Sequence, residues 1–191
     1  MFLRRSPDTR DPLAVAMSGV RLGERVLQLG VDDERLVGRL AAKTGLSGAA
    51  TCVVADDQAA ARAHKGANKV GVHIEVVVSP PPAIPLGDGT FDAVVIHSVS
   101  GFLSSLEPAV RAGLLRESAR VLRPGGRVVT IEAGEKSGLG ALLRPAPSSQ
   151  PAYDQAGGAA ASLEQAGFAP VRILGNREGL KFTEGLRSNQ G

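Results

Sequence analysis

The sequence predicts an α/β fold: a doubly wound, mainly parallel sheet of seven strands with a C-terminal antiparallel hairpin and helices on both faces. Three observations predict it. Short apolar runs alternate with segments of helical period from Arg25 to Glu132. Glycines and prolines punctuate the joins. Two late runs, Pro170–Leu174 and Leu180–Glu184, flank the short connection Gly175–Gly179, a hairpin spacing.

Residues 1–22 mix Pro, Asp and Arg with a short amphipathic stretch, Leu13–Val20, and read as a lead-in with a short helix. Arg25–Leu29 is the first strand. Glu34–Thr44 sets Leu36, Val37, Leu40 and Ala41 at helical intervals, and Gly45 ends that helix. Ala50–Ala55 is the second strand, Gln58–Gly66 an Ala-rich helix stopped by Gly66, and Ile74–Val78 the third strand. Ser79–Thr90, rich in proline and glycine, is a loop. Phe91–Ile96 is continuously apolar, which predicts a strand buried on both faces.

Pro108–Leu122 gathers Val110, Leu114, Leu115, Ala119 and Leu122 on one helical side. Pro124-Gly125-Gly126 is read as a turn and Arg127–Glu132 as the fifth strand. Gly134–Gln150 has no clear period and reads as a long loop, or as a loop with one short helix at Gly140–Arg144. Gly158–Ala166 is a helix stopped by Gly167. The expected organisation is a lead-in at 1–22, one domain at 23–185 and a polar tail at 186–191.

Composition narrows the function classes. The chain has 191 residues, long enough for one domain with one core. Apolar residues make up 43% and charged residues 21%, the balance of a globular protein. Aromatics are only 3%, so the core must be aliphatic. The net charge of +3 comes from scattered Arg without a basic block, which suits a solvated surface better than a nucleic-acid groove. Cys52 is the one cysteine, so no intrachain disulfide or Cys-based zinc site can form, and its apolar run predicts a small buried residue. His64 and His73 have no metal-ligand spacing, and no metal is expected. No stretch is apolar enough for a signal peptide or a membrane span, and a cytoplasmic location is the default expectation.

In a doubly wound sheet, ligands sit beyond the carboxyl ends of the strands, at the point where the winding reverses. The segments to inspect are therefore 30–34, 56–57, 79–86 and 97–103. Three runs around them form a pattern: Gly23-Glu24-Arg25-Val26-Leu27-Gln28-Leu29-Gly30, Ile84-Pro85-Leu86-Gly87-Asp88-Gly89-Thr90-Phe91-Asp92-Ala93-Val94, and Leu115–Val129 with its Arg-Val-Leu-Arg-Pro-Gly-Gly turn. With the late Leu163–Phe168 run, these resemble in order and spacing a Rossmann-like class I S-adenosylmethionine (SAM)-dependent methyltransferase. The resemblance is to the small-molecule type that includes the ubiquinone and menaquinone methyltransferases. It spans roughly residues 20–185.

The resemblance implies SAM as cofactor and a glycine loop of pattern acidic-x-Gly-x-Gly-x-Gly after the first strand. The loop here is degenerate. Gln28 takes the acidic position, Gly30 keeps the first glycine, and Asp32 and Glu34 take the other two. A left-handed Asp costs about 1–2 kcal/mol relative to glycine. A carboxylate about 5 Å from the methionine carboxylate of SAM repels it by roughly 3 kcal/mol at an effective dielectric of about 20, about a hundredfold in affinity. The alternative for Asp32-Asp33-Glu34 is a well-capped helix start.

By the same resemblance, Asp56, or Asp57 in the adjacent register, accepts hydrogen bonds from the ribose, and either also suits an N-cap. Ser79-Pro80-Pro81-Pro82 lacks the acid that many members carry near the adenine. His97 falls where members place a cofactor- or substrate-facing residue and is the one candidate catalytic base. The candidate cofactor-binding set is thus Gly30, Asp32, Asp56, Asp57 and His97. No Asn-Pro-Pro-Tyr-like run follows the fourth strand, which disfavours adenine or glutamine N-methylation. The absence of Gly-x-Gly-x-x-Gly disfavours a nicotinamide enzyme.

Two functions are expected from these features. One is methyl transfer from SAM to an unidentified small-molecule acceptor. The other is an inactive methyltransferase-fold protein with weak or no SAM binding, serving a protein partner as a binding or assembly module.

Overall fold

The computed structural model describes residues 10–134 and 151–188. The strands are β1 (Arg25–Leu29), β2 (Ala49–Val54), β3 (Glu75–Val78), β4 (Phe91–Ser98), β5 (Leu122–Ala133), β6 (Phe168–Arg177) and β7 (Leu180–Arg187). The helices are α1 (Arg10–Met17), α2 (Glu34–Thr44), α3 (Asp57–Val70), α4 (Phe102–Ser105), α5 (Pro108–Val121), α6 (Pro151–Gln155) and α7 (Gly158–Gln165). All seven strands form one sheet in the order β3-β2-β1-β4-β5-β7-β6. The pairs from β3 to β5 are parallel, and β7 runs antiparallel to both β5 and β6. The expected doubly wound sheet with its closing hairpin is what forms. Its winding reverses between β1 and β4.

Local chemistry explains the ends of the helices beside that reversal. Asp33 is extended and its Oδ1 accepts from the Arg35 N–H at 2.9 Å, so it caps α2. Asp56 caps α3 in the same way, accepting from the Ala59 N–H at 2.8 Å. Gly45 closes α2 at φ 69°.

The structure corrects several expected boundaries. α3 does not stop at Gly66 but runs to Val70, and the left-handed residue that ends it is Gly71. Gly66 has a packing role instead. A Cβ on it would lie 1.8 Å from the Glu34 carbonyl oxygen, so the missing side chain lets α2 and α3 touch through their backbones. Pro124-Gly125-Gly126 does not separate helix from strand but lies inside β5. The pairing jumps there from Phe91↔Leu122 to Ala93↔Arg127, so the expected turn is a bulge in the ladder. α4 and α6 are too short to show a helical period and were not expected. β7 runs past the expected domain boundary at 185. The expected helix at 140–144 lies outside the described residues.

β4 is buried along nearly its whole length, and its side chains divide between the two faces. Val94 and Ile96 pack with Leu29, Leu115 and Leu163, whereas Ala93 and Val95 pack with Val26, Leu40 and Phe182. Ala14 and Val20 join the second cluster, so the segment expected as a lead-in contributes to the core. Cys52 is buried among Val37, Val54, Ala63 and Ala67, and burial pushes its thiol up to about 12. No helix among the described residues is long and apolar enough to cross a membrane.

Candidate cofactor cleft

A cleft of about 600 Å³, counting the space open to solvent at its mouth, lies beyond the carboxyl ends of β1, β2 and β3. Gly30, Val31 and Asp32 form the β1 side. Val54, Ala55 and Asp56 form the β2 side, with Ala59 and Arg62 from α3. Ser79, Pro81 and Ala83 form the β3 side, and Phe102 and Leu114 close it from the other flank.

The β1 loop is set by its own residues. Gly30 has φ 80°, and a Cβ on it would lie 2.4 Å from the His97 carbonyl oxygen. Glycine is therefore required here by the close approach of the loops after β1 and β4. Gln28 is buried, and its Nε2 donates to the Gly30 carbonyl at 3.1 Å. The residue in the acidic position thus ties the loop down from behind.

The acids that replace the loop's later glycines do different things. None has a left-handed backbone, since Glu178 is the one non-glycine residue of positive φ among those described. The conformational cost expected for Asp32 is not incurred. Asp33 is the α2 cap. Glu34 pairs with Lys65 at 3.1 Å and with Lys69, so its charge is engaged by α3. Those lysines hold its carboxyl below the usual carboxylate range. Asp32 reaches across to the loop after β4. Its Oδ2 accepts from the Ser100 N–H at 2.7 Å, and its Oδ1 accepts from the Ser100 hydroxyl.

Asp56 and Asp57 separate in the structure. Asp56 lines the cleft while capping α3, whereas Asp57 opens the helix and is not among the lining residues. His97 is not among them either. It is buried at the end of β4, and its Nδ1 has no hydrogen-bond partner. Burial lowers its imidazole pKa from the ordinary value, against the opposing pull of the Asp32 and Asp33 carboxylates.

Sequence reasoning passed over Arg62 and Leu114 in the cleft, whereas Phe102 lies in the 97–103 segment marked for inspection. Arg62 could have been found from the helical spacing of Ala59, Arg62 and Ala63; Leu114 reads only as part of the apolar side of its helix. It also passed over a buried polar pair outside the cleft lining. The Tyr153 hydroxyl donates to Glu132 Oε1 at 2.8 Å, with both side chains buried. Burial raises the Glu132 carboxyl, and the Tyr153 bond and nearby Lys181 offset part of that rise. The Arg111 guanidinium stacks 4.7 Å from the Tyr153 ring centre and donates to the Leu103 and Leu106 carbonyls, bracing α4.

Comparison with known proteins bears on what this cleft serves. A ubiquinone/menaquinone biosynthesis C-methyltransferase of Cronobacter sakazakii is 30% identical over 117 residues, 60% of this chain and 45% of that protein. The chain therefore spans less than half the length of the curated relatives it matches. A SAM-dependent methyltransferase from Aquifex aeolicus superposes with a TM-score of 0.74 at 21% identity, covering 95% of this chain and 94% of that one. The cyclase SpnF superposes at 0.64 with 16% identity, covering 96% of this chain and 81% of its own. At such identities, likeness shows the fold alone. The family described as methyltransferase domain matches residues 27–130, more than half of the chain. This protein belongs to that family, the class I methyltransferases, whose cofactor is S-adenosylmethionine.

Proposed function

We propose that this chain transfers the methyl group of SAM to a small-molecule acceptor, using the cleft beyond β1, β2 and β3. The observation that carries the proposal is the position of Asp56: an exposed carboxylate on the cleft wall, fixed by its cap to Ala59. A carboxylate has about four acceptor sites, and the cap uses one of them. The remainder suit the two hydroxyls of a ribose. Pro81, Ala83 and Leu114 offer apolar walls to a purine, and the Gly30 backbone leads toward the reversal point. This donor and acceptor set fits SAM.

SAM supplies a methyl group on a positively charged sulfur, open to direct displacement by the acceptor. The protein then needs chiefly to hold the two reactants in line and exclude water. His97 is read here as a strand-end residue that shapes the β4 loop, because its imidazole is buried outside the cleft. Asp57 is read as part of the α3 start. The acceptor is taken to be a small molecule and the setting cytoplasmic.

The experiment is thermal unfolding with millimolar SAM or S-adenosylhomocysteine. A ligand at 100 times its dissociation constant adds about 2.7 kcal/mol of stability. Asp56→Asn should weaken the shift while keeping much of the cap. Absence of any shift, together with absence of calorimetric heat, overturns the proposal. The Asp32–Ser100 bridge favours a second reading, a methyltransferase-fold protein that serves a protein partner without catalysis. Weak or absent SAM binding, with no methyl transfer to any of a panel of phenolic, quinone and amine acceptors, would support it.

A further inference from the structure

We propose that Asp32 is an internal substitute for the carboxylate of a ligand's amino-acid tail, and that it determines how far the cleft prefers a tailed nucleoside over a bare one. The proposal rests on reading the cleft as a SAM site.

The place where a doubly wound sheet opens for a ligand is the crevice between the strands at its reversal, here β1 and β4. Two contacts bridge that crevice. The Gly30 backbone lies against the His97 carbonyl, and the Asp32 carboxylate spans to Ser100. Each Asp32 oxygen takes one donor of Ser100, the backbone N–H and the hydroxyl. An N–H and an O–H converging from one residue form the donor pair that a carboxylate binds well. Asp32 already occupies it.

The lining of the cleft agrees. It reaches Asp32 on the β1 side and Phe102 on the β4 side, and none of residues 97–101 contributes to it. A nucleoside fits between Asp56 and the Pro81–Ala83 wall. A tail that continues toward β4 meets Asp32. To reach the Ser100 donors, a ligand carboxylate must displace the Asp32 carboxylate and then remain beside it. The other two acids of the loop are engaged elsewhere, Asp33 with the Arg35 N–H and Glu34 with Lys65 and Lys69. Asp32 is therefore the acid of the three that bonds across the crevice, with the Asp33 carboxylate behind it at the α2 cap.

The test is calorimetric titration of the full chain with 5′-methylthioadenosine, which lacks the amino-acid tail, and with S-adenosylhomocysteine, which has it. Wild type should bind the two within about threefold of each other, because the tail gains little. Asp32→Ala should tighten S-adenosylhomocysteine by about tenfold or more and leave 5′-methylthioadenosine unchanged, as expected when a like charge is removed from beside a carboxylate. Adding Ser100→Ala to that variant should reverse part of the gain. Asp32→Asn, which keeps the size of the side chain, gives the same direction if the alanine variant does not fold.

A wild-type preference for S-adenosylhomocysteine above about tenfold, or an Asp32→Ala effect equal for both ligands, overturns the proposal and leaves the cleft reading intact. Failure of both ligands to bind wild type and both variants at millimolar concentration overturns the cleft reading and the proposal together.

Discussion

The side-chain amide of Gln28 donates a hydrogen bond to the carbonyl of Gly30 from a buried position under the cofactor loop. A family-like acid here would have no proton to donate at neutral pH and would face a carbonyl oxygen with a buried charge. Gln28→Glu should therefore destabilise the protein by about 2–3 kcal/mol at pH 8. Protonation restores a donor, so the loss should shrink as pH falls toward 5. Urea unfolding of both proteins at the two pH values measures it. An equal loss at both would mean that sterics, not charge, is responsible.

Gly30 itself tolerates no side chain. A Cβ would sit 2.4 Å from the His97 carbonyl oxygen on a backbone at φ 80°. Gly30→Ala should cost about 2–4 kcal/mol, combining left-handed strain with displacement of one loop from the other. Because the β1 and β4 loops part, ligand binding in the cleft should weaken by more than the stability loss alone accounts for. Denaturant unfolding and titration with S-adenosylhomocysteine measure the two effects separately.

At Gly66 two effects compete. On helix propensity alone, Gly66→Ala gains about 1 kcal/mol. A Cβ would also lie 1.8 Å from the Glu34 carbonyl oxygen, a backbone atom that can yield only if the helices separate. Overpacking of this kind costs about 1–3 kcal/mol, and more where backbone must move. The packing term should win, making the variant less stable than wild type. A higher melting temperature for the variant would show that the α2–α3 crossing has room.

These glycines mark the limit of what the sequence makes legible. Strand period, Asp caps and Gly45 are local signals, and they placed most elements within a few residues. Whether a glycine ends a helix or lets another backbone approach depends on what lies opposite. Gly66 looked like a stop for that reason, and Pro124-Gly125-Gly126 looked like a turn though it is a bulge paired to β4. The lining of the candidate cleft was legible to the same depth. Asp56 and Gly30 follow from their position after strands. The Asp32–Ser100 bridge joins residues 68 apart, and Tyr153 meets Glu132 from 21 residues away, so no spacing rule reveals either contact. The Asp in a glycine position implied strain and open repulsion. The backbone in fact avoids the strain, and the carboxylate finds donors on a loop that sequence could not bring near.

Cys52 should be inert in the folded protein. It is buried on β2 and its thiol is pushed up to about 12, which leaves almost no thiolate at neutral pH. Under native conditions a disulfide reagent should modify it only as fast as the protein opens, and in 6 M guanidinium it should react at once. Rapid stoichiometric labelling of the native protein would contradict the placement of β2 in the core.

The Glu132–Tyr153 pair should make stability depend on pH in the direction opposite to that of the surface acids. Burial raises the Glu132 carboxyl above its unfolded value. Its contribution is therefore fully present below the unfolded value near 4.5 and is lost as pH rises through the higher folded value. Glu24 and Asp92 are also partly buried. That burial raises their carboxyls, but Arg127 and Arg21 bonds to Glu24, and Arg25 and Arg123 bonds to Asp92, bring each net below its ordinary value. Their contributions fade on acidification, so the total curve mixes both signs. The difference between wild type and Glu132→Gln isolates one of them, since the amide oxygen still accepts from Tyr153 and never ionises. Relative to wild type, Glu132→Gln should gain stability as pH rises above the unfolded value near 4.5, and the gain should level off once pH passes the higher folded value. Tyr153→Phe should cost about 1–3 kcal/mol, and more at pH 8 than at pH 5, because the lost donor matters most to a charged carboxylate. Guanidinium unfolding of the three proteins across that range tests both signs, and a pH-independent difference for Glu132→Gln would mean that Glu132 has the same pKa folded and unfolded.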